Sequence, residues 1–264
     1  KNTLERSGAD DFQGPPSIRS KRDEHLEVKY GLPEKVLFCN RCVISNQRPS
    51  STPEFRNTIR RKIKTLQIDE EGVCDPCRYA KQKEQIDWER REKELVELCD
   101  RFRRTDGSYD CLVPGSGGKD SAYAAHILKY KYGMNPLTCT WAPIIYTDIG
   151  WRNFTNWLNV GGLENILFHP NGRVHRLLTR LAIENLMHPF QTFILGQKNI
   201  APKIALRYNI PLMFYGENEA EYGNPIADNT TSLREKSFYA MENLSEIRLS
   251  GIPIKELFEK HGLT

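Results

Sequence analysis

The chain has 264 residues, 39% of them hydrophobic and 27% charged, enough for one full domain and a smaller appendage. Its longest apolar runs, such as Pro211 to Tyr215, fall far short of the roughly 20 residues needed to cross a bilayer, so no membrane span is expected. A formal charge of +4 from 38 basic and 34 acidic residues is a slight, dispersed excess, which reads as a mixed solvated surface and not as a nucleic-acid footprint.

Residues Lys1 to Tyr30 mix Gly, Pro, Ser and both charges without periodicity, predicting a poorly ordered tail over residues 1–30. The opening stretch carries no apolar core of the signal-sequence kind, and a cytoplasmic location is expected. From Val36 to Tyr79 the periodic apolar pattern is sparse and the segment is bracketed by cysteine pairs, as in a small module (residues 31–79) that relies on a metal in place of a core. Within it, the basic run Asn57 to Leu66 predicts a short helix.

The cysteines are Cys39-Asn40-Arg41-Cys42 and Cys74-Asp75-Pro76-Cys77, two CxxC knuckles with 31 residues between Cys42 and Cys74. Four thiolates make a closed tetrahedral zinc site with no position left for water, which implies a structural role. An iron–sulfur cluster takes the same ligand set, and spacing does not separate the two. Cys99, Cys111 and Cys139 stand alone on predicted apolar faces and read as small core residues.

Ala80 to Arg104 is rich in helix formers, with Leu95, Leu98, Cys99 and Phe102 at helical spacing, predicting one connector helix within residues 80–107. Asp106-Gly107 ends it. Residues 108–264 then alternate: strands are expected at Tyr109 to Pro114, Leu137 to Trp141, Ile166 to His169 and Leu212 to Gly216, and helices at Ala122 to Tyr132, Arg173 to Met187 and Phe193 to Tyr208. That order predicts an α/β fold with a parallel sheet wrapped by helices, in which ligands sit at the carboxyl ends of the strands.

Between the first strand and its helix lies Gly115-Ser116-Gly117-Gly118-Lys119-Asp120-Ser121. Glycines let the backbone approach an anion, the free amides of the first helical turn donate to it, and the helix dipole favours negative charge there. Ser116, Gly117, Gly118 and Ser121 are therefore candidate phosphate holders, and Lys119 a candidate for neutralising the charge. The spacing is not that of a Walker A loop, because Lys119 is followed by Asp120 and the glycines are too close. An acidic residue here would repel phosphate unless a magnesium ion bridged them, which casts Asp120 as a metal ligand and Glu217, at the end of the strand Leu212 to Gly216, as a second carboxylate.

The string Ser116-Gly117-Gly118-Lys119-Asp120-Ser121 resembles the signature of the PP-loop ATP pyrophosphatases, a superfamily with an adenine nucleotide alpha hydrolase-like fold. Its members cleave ATP between the α and β phosphates and activate a substrate oxygen with AMP. The order of the two knuckles, Ile86-Asp87-Trp88-Glu89-Arg90-Arg91, the glycine loop, Tyr146-Thr147-Asp148-Ile149-Gly150 and Gly216-Glu217-Asn218-Glu219-Ala220-Glu221-Tyr222-Gly223 resembles the N-acetyl sugar amidotransferases from Val36 to Leu263. The resemblance implies conversion of the acetamido group of a bacterial surface sugar, free or nucleotide-linked, to acetamidino, with ATP, Mg2+ and a structural Zn2+. It also implies ammonia from a separate glutaminase subunit, since no glutaminase-like cysteine segment is evident here. Members continue past the position of Thr264, so a part of the substrate site is expected beyond it. Trp151, Arg152, Asn153, Gln197 and Lys198 are further candidates for sugar or nucleotide contacts, each equally readable as surface or packing. The rival class is a PP-loop tRNA-thiolating enzyme, which would need a reactive cysteine beyond the loop, and Cys139 is the one available. A zinc-knuckle adaptor without catalysis is the third reading.

Overall fold

The structure, a computed structural model, describes residues 32–48, 65–217 and 243–262. The predicted tail, most of the expected 57–66 helix and the string Asn218 to Gly223 lie outside the described residues. The first helices are α1 (Asp75–Lys83) and α2 (Trp88–Phe102). A three-stranded parallel sheet follows, built from β1 (Cys111–Pro114), β2 (Pro136–Trp141) and β3 (Glu164–Phe168) in that spatial order. Helices α3 (Lys119–Tyr130) and α4 (Asp148–Asn159) make the two crossovers, and α5 (Gly172–Leu186) and α6 (Gln191–Arg207) follow β3. The described chain ends with a hairpin, β4 (Arg248–Leu249) and β5 (Ile252–Pro253), and helix α7 (Ile254–His261). The expected α/β class with a parallel sheet flanked by helices is therefore observed.

Alternation along the strands creates two apolar layers. Cys111 and Val113 of β1 face Ala125, Leu128, Phe154 and Trp157 from α3 and α4. Leu112 points the other way and joins Leu137 and Cys139 of β2 against Ile200, Ala201, Ile204 and Ala205 of α6. Both layers are packed beneath the carboxyl edge, so the loops there stand on a rigid floor.

Three elements differ from the sequence-based expectation. The connector is two helices: α1 ends at Lys83, and Asp87 starts α2 afresh, its carboxylate accepting from the Arg90 amide at 3.0 Å. Helix α2 is also no free linker: Cys99 is buried in the first apolar layer and Leu95 packs against it. The expected strand Leu212 to Gly216 is reduced to one parallel bridge, Leu112 to Met213, held by Leu112 N–H to Leu212 O and Phe214 N–H to Leu112 O, both 2.9 Å. Pro211 has no N–H to extend that ladder, and Gly216 bends away to meet α3. Helix α4 was not expected; it starts at Thr147, whose hydroxyl accepts from Gly150 N–H, and buries Phe154 and Trp157.

Candidate functional site

The two knuckles come together. Each begins with a short antiparallel bridge, Phe38 to Ser45 and Ile68 to Cys74, so the chain reverses around each cysteine pair. Asn40 clips one knuckle to the other, its backbone N–H reaching Gly72 O at 2.9 Å and its side-chain amide reaching Glu71 O at 3.0 Å. The sulfurs of Cys39, Cys42, Cys74 and Cys77 all lie within 4.8 Å of one another. Cys39 to Cys77 is 3.9 Å and Cys42 to Cys74 is 3.5 Å. A tetrahedral zinc site with Zn–S bonds of about 2.3 Å has sulfur–sulfur edges of about 3.8 Å, so this donor set fits a structural metal such as zinc.

The electrostatics of the cluster point the same way. Burial raises the Cys39 thiol, but backbone N–H groups of Arg41, Cys74 and Cys42 outweigh it and bring the thiol down to about 6. Two of these contacts are direct, Arg41 N–H at 3.4 Å and Cys74 N–H at 3.3 Å. Burial pushes Cys74 upward and takes Cys77 to about 11, so without a cation the cluster does not carry four negative charges. A divalent ion removes that penalty by holding all four as thiolates. Around it, Arg78 pairs with Asp69 at 2.9 Å and with the buried Asp75, fixing the start of α1.

The glycine loop lies at the carboxyl edge of the sheet, between β1 and α3. Thr140 of β2 donates to Gly115 O at 2.6 Å, and Gly115 N–H donates to Cys139 O at 2.9 Å, tying the loop to the neighbouring strand. Gly117 has φ +82°, and a Cβ there would come within 2.7 Å of the Phe154 Cα on α4, so both conformation and space demand glycine. Gly118 caps α3 and would point a side chain into open space, leaving the first-turn amides approachable. The loop is thus a glycine turn whose shape is fixed by the strand and helix it packs against.

The predicted residues are placed as follows. Ser116, Gly118, Lys119 and Asp120 are exposed, and Lys119 Nζ stands 3.5 Å from Asp120 Oδ1. The Ser121 hydroxyl turns inward and donates to Gly118 O at 3.2 Å, so it shapes the turn in this state. Gly216 lies so close to α3 that a Cβ would be 2.6 Å from the Asp120 carbonyl carbon and the Ser121 nitrogen. That contact brings Glu217, also exposed, to the same helix terminus as Asp120. Trp151, Arg152 and Asn153 occupy the first turns of α4, with the Asn153–Phe154 backbone against Gly117. Gln197 and Lys198 sit on α6 beside Gly196, which packs on the Trp141 ring and not on the glycine loop. Sequence reasoning missed Thr140, Asn165 and Phe154. Asn165 donates to both Thr138 Oγ1 (2.9 Å) and Thr140 Oγ1 (3.0 Å), and only the polar alternation within β2 hinted at this.

Comparison with known proteins adds little. No family model matches the chain. A stretch of 74 residues is 32% identical to an uncharacterized protein of Methanocaldococcus jannaschii, covering 28% of this chain and 26% of that relative. The chain thus spans about a quarter of that relative's length in the match. Among the described residues no helix is long and apolar enough to cross a membrane.

Proposed function

We propose that the chain is an ATP-dependent amidotransferase of the PP-loop type, acting on the acetamido group of a sugar, with the Cys39–Cys42–Cys74–Cys77 site as a structural zinc centre. The observation that carries the reading is the glycine loop: a Ser-Gly-Gly-Lys-Asp-Ser string at the start of α3, with Gly117 at φ +82° against α4, Asp120 exposed in the first helical turn, and the exposed Glu217 next in sequence to Gly216, which packs on that turn.

In this reading the amides of Gly117 and Gly118 and the Ser116 hydroxyl hold the pyrophosphate half of ATP, and Lys119 offsets its charge. Asp120 and Glu217 would hold Mg2+, which screens the phosphates and stabilises the departing pyrophosphate. The amide oxygen of the substrate attacks the α-phosphorus; the bond to the β-phosphate oxygen breaks and pyrophosphate leaves. Ammonia then forms a C–N bond at the activated carbon, and AMP departs with the original oxygen, leaving an amidine. Adenylation is needed because an amide oxygen is a poor leaving group.

The thiolase alternative is disfavoured by the cysteines. Cys111 and Cys139 are essentially inaccessible within the sheet, and burial raises both thiols to about 12, the opposite of what a sulfur carrier requires. The test is product analysis with ATP, Mg2+, ammonium and a panel of nucleotide-linked diacetamido sugars and nonulosonic acids. AMP, pyrophosphate and a sugar lighter by about one mass unit support the proposal. AMP release only with tRNA and a sulfur donor assigns the rival chemistry, and no ATP turnover with any substrate leaves the adaptor.

A further inference from the structure

Trp141 and Phe168 end β2 and β3 opposite each other, at the same carboxyl edge as the glycine loop. Thr140, which ties the loop, and Trp141 are consecutive, so their side chains leave the strand on opposite faces. Trp141 stacks on Phe168, with ring centroids 4.9 Å apart and planes at 23°, and Phe168 keeps 42% of its surface exposed. His175, near the start of α5, has its ring tilted at 43° to the indole with 6.4 Å between centroids and is only 6% exposed. Gly196 of α6 packs against the benzo part of the indole, where a Cβ would collide with the ring.

Two buried polar atoms in this group have no hydrogen-bond partner among the described residues, Trp141 Nε1 and His175 Nε2. An unpaired buried polar atom costs on the order of 1–3 kcal/mol, and two of them on rings whose centroids are 6.4 Å apart, near the carboxyl edge where such sheets take ligands, call for an occupant. The indole N–H only donates. Burial lowers the His175 pKa and so favours the neutral ring, in which Nε2 is able to accept. The occupant must then present an acceptor and a donor together, as a hydroxyl or a secondary amide does. A carboxylate, which offers acceptors only, does not suit it. The half-exposed aromatic stack alongside suits the apolar C–H face of a sugar ring.

We propose that Trp141, His175 and Phe168 form a carbohydrate subsite, Trp141 Nε1 donating to and His175 Nε2 accepting from one hydroxyl or acetamido group of the sugar. This rests on the amidotransferase reading for the sugar's role as the acceptor of AMP, and its own test needs no ATP. The chain has four tryptophans, so a protein labelled with 15N at the indoles gives a countable set of signals. Trp141→Phe, which keeps the stack, identifies the Trp141 signal; Trp88→Phe, Trp151→Phe and Trp157→Phe identify it by elimination if that variant does not fold.

Titration with N-acetylglucosamine, UDP-N-acetylglucosamine and N-acetylneuraminic acid is expected to move the Trp141 indole signal saturably with at least one probe. His175→Leu should weaken that binding about tenfold, the effect of one lost buried hydrogen bond, while ATP affinity stays within about twofold. A Trp141 signal unmoved by all three sugars overturns the subsite, as does equal affinity in a folded His175→Leu protein. Sugar binding in a protein that never turns over ATP would leave the subsite standing and remove the amidotransferase reading; ATP turnover with an unmoved indole would do the reverse.

Discussion

The four-cysteine module and the glycine-loop corner are ordered by different means. Around the knuckles the buried apolar cluster consists of Cys39, Leu66 and Cys74, two of which are themselves ligand candidates. The glycine loop stands on two apolar layers drawn from three strands and four helices, and its shape is set by packing before any ligand arrives. One region has four thiols that could hold an ion in place of an apolar core, whereas the other has a loop fixed by the packing beneath it. Perturbations should therefore separate them cleanly.

The largest expected effect is metal removal. Structural zinc supplies on the order of 10 kcal/mol to modules of this kind, so chelation, or Cys74→Ser, should abolish hydrogen-exchange protection over residues 37–46 and 66–78 while the sheet keeps its own. Loss of protection in both regions together would mean that the module and the sheet unfold as one unit. Next is Gly117→Ala, which places a methyl against the α4 backbone at positive φ: we expect ATP turnover to fall about 100-fold and stability to fall by about 1–3 kcal/mol, with metal content unchanged. Thr140→Val removes the bond to the Gly115 carbonyl and one partner of Asn165, and calorimetry should register a loss of about 1–2 kcal/mol in the sheet domain alone.

Val43 gives a test of opposite sign. It is a β-branched residue at φ +57° on the first knuckle, where left-handed backbone costs roughly 1–2 kcal/mol for anything but glycine. Val43→Gly should raise the module's unfolding midpoint, and a fall would show that the 79% exposed side chain has a partner worth more than the strain. The smallest effect is a pH slope. Burial depresses the folded-state pKa of His175, so the unfolded chain takes up a proton near 6.5 while the folded chain resists. Stability is then full above about pH 6.5 and declines as pH falls below it; denaturant titrations at pH 7 and 5 should show a shallower decline in His175→Leu.

The legible part of the molecule was the part written in short-range chemistry. Cysteine spacing announced a four-thiol cluster able to hold a metal, and Gly117 announced a tight turn because its positive φ and the α4 backbone beside it admit no other residue. Strands β1, β2 and β3 were visible as apolar runs in turn-bounded segments. The break between α1 and α2 was not, since Asp87 reads as one more charged residue until its carboxylate is seen capping the Arg90 amide. The segment 212–216 looked like a strand by composition, yet its fate depended on Pro211 and on where Gly216 had to go. Trp141 and His175 were invisible as a pair because 34 positions separate them and only the parallel register of β2 and β3, with α5 folded back, brings them together.

Asn165 has a consequence beyond the loop it supports. Its side-chain amide spans Thr138 and Thr140, two residues on the same face of the adjacent strand, within a layer otherwise filled by hydrocarbon. A slide of β3 by one residue would turn that amide to the opposite face and take its N–H groups from both hydroxyls, leaving Thr140 only its bond to the Gly115 carbonyl. The trio therefore works as a key in a lock of fixed pitch: hydrophobic contact alone would tolerate several alignments of β2 and β3, and this small polar fork admits one.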